Sequence, residues 1–290
     1  MRVFVTGATG FIGSAVVEDL LAAGHKVLGL ARSDASAAKL AATGAEVHRG
    51  DLTDLESLRQ GAAASDGVIH TGFIHDFSKF EENCAIDRRA IETMAAALEG
   101  SDKPLLVSSG TALLKPGKLA LETDVRETSH FPRVSEETAE AAAARGLKAS
   151  TVRLPPTVHG EGDHGFVPML IAMAREKGVA AYIGDGLNHW PAVHRRDAAR
   201  VFRLALEKGL SGARYHATAE SGVLFRDIAA VIGKHLKLPA ESRQPEHFGW
   251  FAHFAGVDNL ASSDWTRETL GWQPDHTSLL ADIDNGYYYS

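Results

Sequence analysis

The sequence predicts an α/β fold: a doubly wound parallel sheet followed by a smaller C-terminal lobe. Three observations carry this reading. Strand and helix signals alternate over the first 154 residues, in units of βαβ size. A glycine turn, Gly7, Gly10 and Gly13, stands where the first strand hands over to the first helix. The composition then changes at Pro155-Pro156, which stops a strand and opens a glycine- and histidine-rich loop over 157–165.

Taken in order, Val3-Phe4-Val5 is a buried-type strand, and the helix after the glycines lines up Ile12, Ala15, Val16 and Leu20 before Gly24 ends it. A second strand is expected over 26–32. Asp34 is expected to cap an alanine-rich helix that ends near Gly44. A third strand covers 45–50, and Asp54 or Thr53 caps a short helix to Gly61. A fourth strand covers 67–71, an irregular stretch 72–82, and a long helix about 83–98. Then come a fifth strand over 105–109, a helix over 136–145 and a sixth strand over 149–154. Beyond it, helices are expected over 167–177, 197–208 and 225–236, with strands over 181–191 and near 214–217. His194 orders the loop ahead of its helix.

The chain has 290 residues, 44% hydrophobic and 23% charged, which is ordinary for a soluble globular protein. A net charge of −7 and the absence of a basic run argue against a nucleic-acid partner. One cysteine, Cys84, excludes an internal disulfide framework. No apolar run reaches the length of a membrane span, and the chain starts on a strand without a signal segment. These features predict a cytoplasmic protein.

The glycines predict a dinucleotide site. Gly7 allows the tight turn, Gly10 lets a pyrophosphate approach the backbone, and Gly13 lets the helix lie close to the sheet. The helix N-terminus then offers free N–H groups to the phosphates. The spacing is G-x-x-G-x-x-G rather than G-x-G-x-x-G. In a Rossmann-type sheet the ligand lies beyond the carboxyl ends of the strands, which aligns the turn with Arg32, Asp51, 70–73 and 108–111. NAD binders carry an acidic residue at the end of the second strand. Here Ala31-Arg32-Ser33 stand instead, with Arg32 about 20 residues past the glycines. A guanidinium grips a 2′-phosphate with paired hydrogen bonds, so NADP(H) is expected in preference to NAD(H). The bland alternative is a solvated Arg32, with Asp34 close enough to compete. The expected division is a dinucleotide domain over 1–156, joined by 189–215, and a substrate lobe over 157–188 and 216–290.

An ordered set of motifs then appears: Thr6-Gly-Ala-Thr-Gly-Phe-Ile-Gly13, Gly50-Asp51-Leu52, Val68-Ile-His70, Val107-Ser-Ser109, the run Arg153-Leu-Pro-Pro-Thr-Val-His-Gly160, Val193-His194-x-x-Asp197-Ala198 and Leu270-Gly271-Trp272-x-Pro274. Together they resemble the extended branch of the short-chain dehydrogenase/reductase superfamily. That branch includes NAD-dependent epimerases and dehydratases and 3β-hydroxysteroid dehydrogenase-like proteins. The resemblance implies an NAD(P)-dependent oxidoreductase in which Thr6, Gly7, Gly10, Phe11, Ile12 and Gly13 hold the dinucleotide. Arg32 and Ser33 would meet its 2′ end. Asp51 and Leu52 would flank the adenine, and Thr71 and Gly72 would border the nicotinamide ribose. Asp51 can also simply open a capping turn. His70 is expected to satisfy a backbone partner beneath the sheet.

The catalytic pattern of that branch breaks here. It requires a Ser or Thr and a Tyr four residues before a Lys. None of the five tyrosines has a lysine at that spacing. In the stretch from His130 to Glu140, Pro132 aligns with the tyrosine and Glu136 with the lysine. Ser109 or Thr111 can supply the hydroxyl after a one-residue shift. His159 is the first choice of proton donor, ahead of His164, His75 and Lys115, because imidazole titrates near neutrality. Three readings follow: an oxidoreductase with an atypical proton donor, a catalytically silent NADP(H)-binding redox sensor, or an enzyme that takes its proton from water. His159 and His164 with Asp163 could suggest a metal, but the loop lacks the clear, tightly spaced ligand set a site needs, so a solvated loop and no metal are expected. Phe73, Phe77, Phe166, Trp190 and 247–254 are expected to wall an apolar pocket, suited to a small hydrophobic carbonyl or alcohol. The helices over 83–98 and 136–145 correspond to those that pair into a homodimer in this superfamily.

Overall fold

A computed structural model describes residues 1–126 and 131–290, so His130, like the side chain of Phe77, lies outside the described residues. The chain opens with β1 (Arg2–Thr6), α1 (Phe11–Ala22), β2 (Lys26–Ala31), α2 (Asp34–Ala41), β3 (Glu46–Arg49), α3 (Leu55–Ala63) and β4 (Gly67–His70). It continues through α4 (Phe80–Leu98), β5 (Leu105–Gly110), the short β6 (Leu119–Ala120), α5 (Ser135–Ala144) and β7 (Ala149–Leu154). The second half runs β8 (Thr157–His159), α6 (Phe166–Lys177), β9 (Ala180–Ile183), β10 (His189–His194), α7 (Arg195–Lys208), β11 (Arg214–His216), β12 (Glu220–Leu224) and α8 (Phe225–Leu236). It closes with β13 (Ala240–Arg243), α9 (Ala252–Gly256), β14 (Leu260–Ala261), α10 (Asp264–Leu270) and α11 (Leu279–Ile283).

The main sheet has seven strands in the order β11-β7-β5-β4-β1-β2-β3. Each of its pairings is parallel, as in β1 on β4, where Thr6 faces His70. Parallel sheets are covered on both faces, and Val3, Phe4 and Val5 are accordingly all buried. On one face α1 packs against α7, with Leu20, Phe202 and Trp272 in the shared core. On the other, α3, α4 and α5 bury Leu58, Met94 and Ala142 against Phe4 and Val107. The chain builds β1, β2 and β3 outward, then returns to add β4 and β5 on the other side of β1. That reversal opens a crevice at the carboxyl ends of β1 and β4, where ligands of such sheets sit.

A three-stranded sheet, β12-β10-β8, belongs to the second half, and a separate apolar cluster centres there on Trp190, Phe225 and Phe251. This corrects the expected pocket wall. Phe166 and Trp190 pack on each other and on Phe251, with Trp190 and Phe251 fully buried, so they are core. Two further corrections are local. The cap of α2 is Ser33 rather than Asp34: its hydroxyl accepts from the Ser36 N–H, and Ser36 reaches back to the Ser33 N–H. The second strand stops at Ala31, leaving Arg32 outside it. Asp54 does cap α3, accepting from the Ser57 N–H at 3.1 Å. Among the described residues no helix is long and apolar enough to cross a membrane.

Candidate active site

The glycine turn occupies the crevice, and its three glycines do different work. Gly7 has φ +68°, and a Cβ there would lie 2.7 Å from the Gly72 nitrogen. A Cβ on Gly13 would lie 2.0 Å from the Gly7 oxygen, so Gly13 is what seats α1 on the turn. Gly10 is exposed, and its Cβ would meet only the Gly7 oxygen, at 3.2 Å. The fold therefore needs Gly7 and Gly13 for itself, while the bare side of Gly10 faces outward over the α1 N-terminus. Free N–H groups at a helix N-terminus suit an anion. Phe11, beside it, carries the Arg195 guanidinium 5.2 Å above its ring and meets His164 edge-on at 5.7 Å. Ile12 is partly buried against the core.

At the end of β2, Arg32 is exposed. The competing Asp34 is occupied by Arg49, whose Nη2 lies 2.7 Å from its Oδ1, while Nη1 donates to the Ser33 carbonyl at 2.8 Å. Lys39 donates to the Thr9 carbonyl of the glycine turn at 3.2 Å. Three cations thus border this end of the crevice. Asp51 accepts from both the backbone N–H and the hydroxyl of Thr53 through Oδ1, at 2.9 and 2.8 Å. Leu52 reaches under Gly72. Thr71 donates its hydroxyl to the Thr6 carbonyl at 2.8 Å, and the Gly72 N–H donates to the Thr6 hydroxyl at 3.2 Å.

Beneath this edge runs a buried polar chain that only the fold assembles. Thr6 Oγ1 meets His70 Nδ1 at 2.7 Å, and His70 Nε2 meets Asp87 Oδ1 at 3.0 Å. The partners of His70 are therefore side chains, which corrects the expected backbone contact. The Ser135 hydroxyl donates to Asp87 Oδ2 at 2.6 Å, and Arg133 Nε donates to Ser135 at 3.1 Å. Burial works to raise the Asp87 carboxyl, but His70, Arg133 and Ser135 outweigh it and hold it below the usual range.

The sequence-chosen catalytic residues are each engaged by a different partner. Ser109 is buried at the end of β5, beside the Glu136 carboxylate that its hydroxyl helps to stabilise. Glu136 itself takes two hydrogen bonds from Arg153, Nε at 2.9 Å and Nη2 at 2.5 Å. Thr111 is fully buried, with its hydroxyl donating to Asn259 Oδ1 at 3.1 Å. His159 is fully buried in the second half, with Nδ1 2.7 Å from Asp282 Oδ2 and a buried, unpartnered Nε2. His194 caps α7 by accepting from the Arg196 N–H. Nothing in the sequence assigned a role to Asp87, Asn259 or Asp282, and Arg153 stood there only as the first residue of a motif. Two of these left a signal: Asp87 interrupts the apolar stripe of α4, and Arg153 sits inside an otherwise uncharged strand.

The model of the NAD dependent epimerase/dehydratase family matches residues 3–217, which cover the whole crevice. The chain belongs to this family. An uncharacterised protein of Schizosaccharomyces pombe is 50% identical to this epimerase/dehydratase-family chain, over 100% of both. At 26% identity, covering 83% of the chain and 75% of the relative, it is also similar to a 4-hydroxy-2-methyl-3-oxo-4-farnesyl-3,4-dihydroquinoline-1-oxide ketoreductase of Stigmatella aurantiaca. Its fold is that of a nucleoside-diphosphate-sugar epimerase from Pseudomonas aeruginosa, with a TM-score of 0.78, 22% identity and coverage of 99% of each chain.

Proposed function

We propose that the protein is an NADP(H)-preferring oxidoreductase acting on a hydrophobic carbonyl or alcohol. The observation that carries this is Gly10: the exposed glycine of the turn, at the N-terminus of α1, where an added Cβ would meet only the Gly7 oxygen. In this reading Thr6, Gly7, Gly10, Phe11, Ile12 and Gly13 cradle the pyrophosphate. Arg32, with Ser33 and Lys39 beside it, receives the 2′-phosphate. Asp51 and Leu52 border the adenine, and Thr71 and Gly72 border the nicotinamide ribose. When bound, the dinucleotide supplies or takes the hydride. Ser109 orients the substrate oxygen, while Thr111 and His159 support the site from beneath. The exposed His164, against Phe11 at the crevice, becomes a better proton donor than the enclosed His159. A cytoplasmic homodimer joined through α4 and α5 belongs to the same reading.

Titration of NADPH and NADH by fluorescence into the wild type and Gly10→Ala tests the cofactor half. NADPH is expected to bind about tenfold tighter than NADH, and Arg32→Asp should abolish that preference. Gly10→Ala should keep the wild-type Tm and lose at least about tenfold in NADPH affinity. Equal affinities, or an unaffected Gly10→Ala, would sink the assignment. A second reading, a silent redox sensor, is favoured by the engaged hydroxyl of Thr111 and by the missing Tyr-x-x-x-Lys pair. Tight NADPH binding without oxidation across a panel of aryl and alkyl carbonyls would support the sensor.

A further inference from the structure

Two arginines are drawn into the polar interior near β5, and they differ in how they are satisfied. Arg153 is fully buried and fully engaged: Glu136 takes Nε and Nη2, the Asp124 carbonyl takes Nη2 at 2.7 Å, and His216 Nε2 lies 3.1 Å from Nη1. That is how a structural arginine looks here. Arg133 is partly buried and has no ion pair among the described residues. Its Nε donates to Ser135, and Nη2 makes a long contact, 3.4 Å, with the Ser108 carbonyl. The nearest carboxylate in its chain of contacts, Asp87, is one hydroxyl away and already serves His70. A guanidinium carries five N–H donors, so most of this fork remains available.

Its position gives that fork a purpose. Ser108 lies at the carboxyl end of β5, on the side of the crevice opposite β2 and Arg32. The guanidinium lies 4.5 Å from the centroid of Phe73, which fixes its plane. Phe73 meets Phe80 at 6.2 Å, and Phe80 meets Phe131 at 5.4 Å, so an aromatic wall extends from the cation. Desolvation, Arg133 and His164 push the imidazole of His75 below its ordinary value. The result is an apolar wall ending in a forked cation that feels the charge of Asp87 through Ser135 but makes no direct ion pair with it. A planar carboxylate completes both its charge and its hydrogen bonding.

We propose that Arg133 binds a carboxylate of the substrate, and that the substrate class is an aromatic or apolar 2-oxo acid or the corresponding 2-hydroxy acid. Arg133 is a binding residue in this assignment, which rests on the oxidoreductase reading above. It sets the carbonyl carbon next to the carboxylate in the nicotinamide half of the crevice.

The test uses the full chain saturated with NADP+ and isothermal titration with benzoylformate, alongside acetophenone as the probe without a carboxylate. Wild type should bind benzoylformate, Arg133→Met should weaken it at least about tenfold, and Arg133→Lys should recover only part. Acetophenone and NADP+ affinities should stay within about twofold across the three proteins. Equal benzoylformate affinity in wild type and Arg133→Met would overturn the assignment. So would NADP+ binding without benzoylformate binding in the wild type. If Arg133→Met does not fold, Arg133→Lys decides, because loss of the fork alone should cost several-fold in benzoylformate and nothing in acetophenone. Failure of the wild type to bind NADP+ would sink the oxidoreductase reading, and the substrate assignment with it.

Discussion

Glu136 shows what a single residue can hide. Matched against the motif pattern of the branch the sequence resembles, it is expected where a lysine would stand, with the opposite charge. In the fold it is the counter-ion of Arg153, with Arg214 Nε a further 3.3 Å away. Burial works to raise its carboxyl, but Arg153, Arg214 and Ser109 together hold it below the usual carboxylate range. Removing one partner of such a pair leaves a buried charge uncompensated. Glu136→Ala should therefore cost about 3–5 kcal/mol in urea unfolding. The double variant Glu136→Met, Arg153→Met should cost clearly less, because no charge is then stranded. A loss under about 1 kcal/mol for the single variant would show the pair to be unimportant. The sequence displayed both charges, but nothing in it linked positions 136 and 153, because their contact is made by α5 packing across β7.

At the scale of elements, the first βα unit was legible almost completely. An apolar triplet, three glycines and an amphipathic run define β1, the turn and α1 by local physics alone. The sequence reading already gave the three glycines different work, and the packing puts distances on the roles of Gly7 and Gly13. Gly13→Ala would place a methyl 2.0 Å from the Gly7 oxygen, so α1 must move off the turn. We expect a loss of about 1–3 kcal/mol in thermal unfolding together with loss of dinucleotide binding. Gly10→Ala should lose binding alone. If the two variants behave alike in stability, the roles drawn from the packing are wrong. The cap of α2 makes a similar point. Ser33 and Asp34 are both good cap residues, and the choice between them depends on Arg49, which arrives from β3 to engage Asp34.

For the molecule as a whole, the buried histidines predict its behaviour in acid. His194 is pushed down to about 4 by burial and by the neighbouring His159 and His276. His216 is pushed down to about 4 by burial and by Arg153. Each stays neutral in the native state through a range where the unfolded chain, titrating at about 6.5, takes up a proton. Their contribution to stability is therefore complete above about pH 6.5 and is lost as pH falls toward 4. Between pH 7 and pH 5 the urea midpoint should drop, with a loss of roughly 2 kcal/mol or more. An unchanged midpoint would contradict this. Neither histidine announces this in the sequence, since burial and the approach of Arg153 to His216 are products of the assembled sheet.

The alternation of strands and helices, the glycine turn and the whole-chain order of motifs are local or periodic features, so the sequence by itself determined the α/β architecture and the place of the crevice. The side-chain constellation around that crevice was decided only by tertiary structure. Thr6, His70, Asp87, Ser135 and Arg133 come from β1, β4, α4 and the approach to α5, and become one chain of contacts only when the sheet closes. The same packing enclosed His159 with Asp282, 123 residues away, and left the Arg133 fork open. The physical reason is that periodicity reports which face of an element is apolar, whereas hydrogen bonds and charge compensation depend on which distant element meets that face.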